Sequence, residues 1–118
     1  MVMASDGMLA ELRSRYVGVD ELPWVQTRPG IEQKTLFEDR ERGMLTALIR
    51  WAPGAELPLH EHTDVEQTFV LEGSLVDEQG ACNAGDFVWR PAGSRHRAWA
   101  PNGCLLLAVF LKPNTFFA

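Results

Sequence analysis

At 118 residues the chain suits one domain and leaves no room for a second core. Apolar residues make up 46% of it, while a formal charge of -5 and a pI of about 5.1 oppose a nucleic-acid phosphate backbone. No apolar stretch is long enough to cross a bilayer, and the N-terminus turns polar at Ser5 and Asp6 before a signal-peptide core forms, so a cytoplasmic protein with neither nucleic acid nor membrane as partner is expected.

Residues 1–22 read as an N-terminal helical or extended arm and 23–118 as a single barrel domain. In the arm, Ser5 is placed to cap a short helix, Met8, Leu9, Leu12 and Tyr16 share one face, and Gly18 ends it. Past Trp24 the pattern changes to short β-rich runs, predicted as strands over 32–37, 44–51, 57–62, 66–72, 74–77, 87–90, 95–99 and 104–111. The breaks between them carry turn residues: Pro53-Gly54, Gly73, Gln79-Gly80, Gly85-Asp86, Pro91-Ala92-Gly93 and Pro101-Asn102-Gly103. Many short strands with a turn after each predict an all-β sandwich or barrel, and no helical segment after residue 24 supports a βαβ alternative. Cys82 and Cys104 have neither CxxC spacing nor disulfide density and read as two reduced structural thiols.

His60, His62 and Glu66 are separated by two and then four positions, and even spacing lets strand side chains share a face. His96 follows the Pro91-Ala92-Gly93 turn and can approach from another strand. Three imidazoles and a carboxylate form a first shell suited to one divalent transition metal, and they use every histidine of the chain.

The run from Gly54 through His60, His62 and Glu66 to Gly73 resembles the first cupin motif, and Gly85, Pro91, Gly93 and His96 resemble the second. Where the family has an asparagine after that histidine, Ala100 stands, with Asn102 nearby. The resemblance implies a double-stranded β-helix, a jelly-roll barrel, with a metal on His60, His62, Glu66 and His96. Trp24, Pro29-Gly30-Ile31, Thr46-Ala47-Leu48, Ala52-Pro53-Gly54, Val70-Leu71-Glu72-Gly73 and the run from Pro91 to His96 further resemble ChrR-type anti-sigma-factor cupin domains and the acetylacetone-cleaving and dihydroxyacetophenone dioxygenases. ChrR proteins carry a separate zinc-binding helical domain ahead of the cupin. That domain is not among these 118 residues, so sigma-factor sequestration by it is not expected.

If Glu66 points inward, Thr68 and Val70 share its face; likewise Ala98 goes with His96, Phe87 with Trp89, and Phe110 with Cys104, Leu106 and Ala108. An arginine turned into a barrel must find an anion, and parity leaves open which of Arg50 and Arg90 does so. The pocket candidates are therefore Arg50, Thr68, Phe87, Trp89, Arg90, Ala98 and Phe110.

With four protein ligands an octahedral ion keeps two positions open, which suits catalysis. The resemblance implies a dioxygenase cleaving a C–C bond in a small diketone or hydroxyketone-like substrate, with Fe(II) favoured and Zn, Ni and Mn also accepted by the donor set. The alternatives are a non-enzymatic sensor of metal or small ligand and a zinc-dependent isomerase or cyclase. A homodimer is expected, with the aromatic tail Phe116-Phe117 or the N-terminal segment packed on a partner.

Overall fold

The structure is a computed structural model and describes residues 13–117. The predicted N-terminal helix falls largely on residues 1–12, outside that range. From residue 13 to Gly18 the chain is irregular and Tyr16 is 97% exposed; the one helical feature among the described residues is a 3-10 turn at Val19–Glu21. No helix there is long and apolar enough to cross a membrane.

Ten antiparallel strands follow: β1 (Val25–Arg28), β2 (Ile31–Asp39), β3 (Met44–Trp51), β4 (Ala55–Glu61), β5 (Glu66–Asp77), β6 (Gly80–Asn83), β7 (Phe87–Arg90), β8 (Arg95–Ala100), β9 (Cys104–Phe110) and β10 (Thr115–Phe116). They pair in the order β1-β2-β3-β9-β5-β8-β4-β10, with β6 and β7 both attached to β5. This is the expected all-β, double-stranded β-helix, and β5 is the strand common to its two halves. Its first part pairs β9 and β7; its last part pairs β6 and, at Val76, β8.

The expected break at Gly73 is instead a bend within one continuous strand. The register against β9 shifts between Val70 and Glu72, and Gly73 has φ +73, a left-handed conformation that L side chains resist. A Cβ there would run into the Gly103 carbonyl, so the bend requires glycine for space as well as for φ.

The interior follows strand parity. Along β5, Glu66, Thr68 and Val70 are buried while Gln67, Phe69 and Leu71 are exposed. Ala47 on β3, Ala108 on β9 and Thr68 lie side by side across the sheet, all buried, and Val70, Leu106, Trp51, Ala98 and Ala100 complete the core. The tail folds onto its own barrel: β10 pairs with the edge of β4, Phe116 opposite His60.

Candidate metal centre

One bulge and one turn set the histidines. Pro58 lacks an amide proton, and the β4–β8 register shifts between Leu57 and His60, so the strand bulges where the first histidine enters. Beyond the bulge His60 and His96 are cross-strand partners and share the inner face. His62 lies just past β4, where its amide donates to the Ser94 carbonyl at 2.9 Å and its carbonyl accepts from the Gly93 amide at 2.7 Å. Gly93 has φ +86, so the 91–94 turn clasps His62 and then delivers His96.

The three imidazoles converge, with ligand nitrogens within 4.8 Å of one another, and His60, His62 and His96 are 1%, 0% and 6% exposed. Each ring has its Nδ1 committed to an acceptor. His60 Nδ1 donates to the Pro58 carbonyl at 2.8 Å, and His96 Nδ1 to Asp77 Oδ2 at 3.2 Å. Ser94 Oγ donates its own proton to the Pro91 carbonyl at 2.6 Å and so accepts from His62 Nδ1 at 2.8 Å. With the proton on Nδ1, every Nε2 presents a lone pair to the centre, the tautomer that metal-binding histidines use.

Glu66, at the start of β5, is 9% exposed and places Oε2 3.1 Å from His62 Nε2. The contact lacks hydrogen-bond geometry, and His62 Nε2 is buried without a partner. Two acceptors therefore face one another in a nearly dry site, an unfavourable arrangement that a cation between them would relieve. The donor set fits a divalent metal on this observation.

Burial lowers the pKa of His60, against the pull of the Pro58 carbonyl, and lowers that of His96 to about 4, with the nearby Arg90 guanidinium adding to the effect. Asp77 is also buried, but the Gln79 amide and Arg90 outweigh that burial and hold its carboxyl below the ordinary range. Its Oδ1 accepts from the Gln79 and Gly80 amides at 2.7 and 3.1 Å, while Oδ2 takes Arg90 and His96. Burial raises both thiols, Cys104 to about 12, so neither is a ready thiolate.

Of the pocket candidates, Thr68 and Ala98 are buried and Phe110 packs on the core beside Glu66. Arg90 turns inward, its side chain 12% exposed and paired with Asp77. Three positions are corrected. Arg50 lies outside, ion-paired to Glu32 at 2.9 Å and stacked on Trp24 at 4.1 Å. Phe87 and Trp89 are 53% and 61% exposed, because β7 turns Val88 and Arg90 to the interior instead.

Asp77 and Ser94 were not among the expected site residues, and Phe116 was expected only in a packed aromatic tail. Parity counted from Glu66 turns Asp77 outward, but the bulge between Val70 and Glu72 reverses it, so Leu75 and Asp77 face in. Ser94 carried a signal, being the turn residue two before His96, whereas Phe116 was marked only as an apolar tail residue with nothing to link it to His60.

A curled antiparallel barrel with three inward imidazoles defines a cupin with a candidate metal centre. The chain belongs to the family described as the ChrR cupin-like domain, which matches residues 13–114. It is 31% identical over 106 residues to the anti-sigma-E factor ChrR of Cereibacter sphaeroides, covering 86% of this chain and 48% of that protein, so it spans about half the length of that curated relative. Among solved structures, a protein of Methylibium petroleiphilum PM1 provisionally assigned as an acetylacetone dioxygenase superposes with a TM-score of 0.84 at 22% identity, covering 100% of this chain and 86% of that one. The acetylacetone dioxygenase of Acinetobacter johnsonii gives 0.82 at 19% identity, covering 90% and 79%. At those identities the two structures establish the shared fold.

Proposed function

We propose that the chain binds one divalent transition metal, Fe(II) in the favoured case, on His60, His62, Glu66 and His96, and acts as a dioxygenase that cleaves a C–C bond in a small diketone or hydroxyketone-like substrate. The observation that carries this reading is the buried, unpartnered His62 Nε2 facing Glu66 Oε2 at 3.1 Å, inside a cage of imidazoles whose Nδ1 protons are already committed. When bound, such an ion would supply Lewis acidity and redox chemistry toward a substrate oxygen and dioxygen. The protein's own share is positioning and dryness. Pro58, Ser94 and Asp77 hold the three rings in one tautomer; Thr68, Ala98 and Phe110 exclude water. Arg90, committed to Asp77, serves as a fixed positive charge beside the centre and not as a free clamp for a substrate carboxylate.

The test is elemental analysis of gently purified protein together with oxygen uptake against β-diketones and hydroxyketones. Near-stoichiometric iron, with uptake that disappears in His96→Ala, is the expected result. Stoichiometric zinc or nickel without uptake would favour the second reading, a metal or small-ligand sensor, which the 31% identity to an anti-sigma factor supports. Turnover without oxygen on a zinc-loaded protein would identify an isomerase or cyclase. The chain is also proposed to pair as a homodimer.

A further inference from the structure

The curled sheet has two ends, β1 and β10. Among the described residues each pairs with one neighbour only, β1 with β2 and β10 with β4. Side chains bridge the seam instead: the Arg28 guanidinium on β1 lies 4.2 Å from the Phe116 ring centroid on β10. Because Phe116 is the cross-strand partner of His60, the two side chains share a face, and their rings lie 5.2 Å apart at 34°. His60 is 1% exposed and Phe116 is 37% exposed, so the Phe116 ring stands between a candidate ligand and solvent. Phe117 points to the opposite face, where Arg95 lies 4.6 Å over its ring.

Beside this seam is a cavity of about 350 Å³ with an apolar wall of Met44, Leu45, Phe110 and Pro113 and a polar one that includes the charged Glu38, Asp39 and Arg40. Phe110, in the wall of this cavity, is the cross-strand partner of Glu66, and the strand carrying Phe116 pairs alongside His60. A second cavity, about 390 Å³ between β6 and β7, reaches Asp77 and Arg90, and that buried ion pair walls it off from His96. The seam has a weaker closure. β10 is two residues long, tied at its start by a hydroxyl contact of 3.1 Å between Thr115 and Thr63, and short edge strands of this kind open at low cost.

We propose that the gap between β2–β3 and residues 113–117 is the ligand entrance of the metal centre, and that Phe116 is its gating and specificity-determining side chain. The ligand it admits is a small oxygen donor with an apolar body, matched to the Met44, Leu45 and Phe110 wall. Arg28 holds the ring in the closed position. This inference rests on the metal-binding reading of His60, His62, Glu66 and His96.

The test uses the full chain loaded with Co(II), whose visible absorption reports exogenous ligands, with azide and acetylacetone mixed in by stopped flow. Phe116→Ala is expected to raise the azide association rate about tenfold and that of the larger acetylacetone by more, while Phe116→Trp slows both. Arg28→Ala moves in the same direction as Phe116→Ala. Phe117→Ala, which loosens the same tail from its other face, leaves both rates at the wild-type value. Wild-type rates in both Phe116 variants, equal gains for the two probes, or an equal acceleration in Phe117→Ala would each overturn the gate while leaving the metal site standing. Failure of the wild type to take up Co(II) would instead remove the metal reading, and the gate with it.

Discussion

One carboxylate, Asp77, closes the β5–β6 hairpin through two backbone amides, fixes Arg90 and orients His96. A carboxylate behind a ligating imidazole keeps the ring aimed and raises its basicity. Asp77→Asn is therefore expected to weaken metal binding about 10- to 100-fold, read by competition with a chromophoric chelator. His96→Ala is expected to abolish stoichiometric uptake; unchanged affinity in Asp77→Asn would mean that the 3.2 Å contact does not orient the ring. The pKa values carry a second consequence. His96 is lowered from 6.5 to about 4, and His60 is lowered as well, so the unfolded chain binds protons before the folded one as pH falls. Stability of the metal-free protein is thus full above about pH 6.5 and is lost progressively toward pH 4. Urea midpoints measured across that window should fall with pH; a flat profile would show that these rings are not buried and neutral. The four proposed metal-binding residues were legible because their types and spacing are local facts. Asp77 was not, because one bulged residue upstream reverses which side of the strand it occupies.

At the level of elements, β5 decides the architecture, since it crosses from one half of the barrel to the other at Gly73. Gly73→Ala meets both an unfavourable φ of +73 and the Gly103 carbonyl, and is expected to cost about 1–3 kcal/mol or more, seen as a lowered thermal midpoint. An unchanged midpoint would mean that the bend is not held at this residue. The strands with strong apolar or β-branched character, such as β3 and β9, follow from sequence almost directly. β1, β6 and β10 do not. β6 contains Gly80, Ala81 and Asn83, poor strand formers, and exists because the Asp77 hairpin lays it along β5. β10 is a strand only because the edge of β4 is there to receive it. For such segments pairing across the fold overrides local propensity.

For the whole molecule, the candidate site joins distant parts of the chain: β4 and its exit, the start of β5, and β8. A metal bound there would act as a staple between strands and stabilise the folded state by about 2.7 kcal/mol at a free concentration 100 times its dissociation constant. The melting temperature should accordingly rise on adding the cognate ion and fall with chelator, and a midpoint indifferent to both would contradict the proposed site. The outer face of β5 and β7 carries Phe69, Leu71, Phe87 and Trp89, between 39% and 61% exposed, a contiguous apolar face of the kind that marks association. Light scattering at micromolar concentration should give twice the 13.2 kDa chain mass, and a monomeric value would remove the proposed homodimer.

Sequence alone determined the all-β class, because alternation and turn glycines are short-range features, and the resemblance carried by its two histidine motifs gave the ChrR-like cupin family that the chain belongs to. Tertiary structure alone decided that Arg90 and not Arg50 turns inward, that Asp77 stands behind His96, and that Phe116 covers His60. The arginines depend on which face of β3 and β7 meets the core, and the last two share a further physical reason. A strand's facing has a period of two, so a single bulge or an edge pairing made far along the chain reverses or creates it, and neither is written in the neighbouring residues.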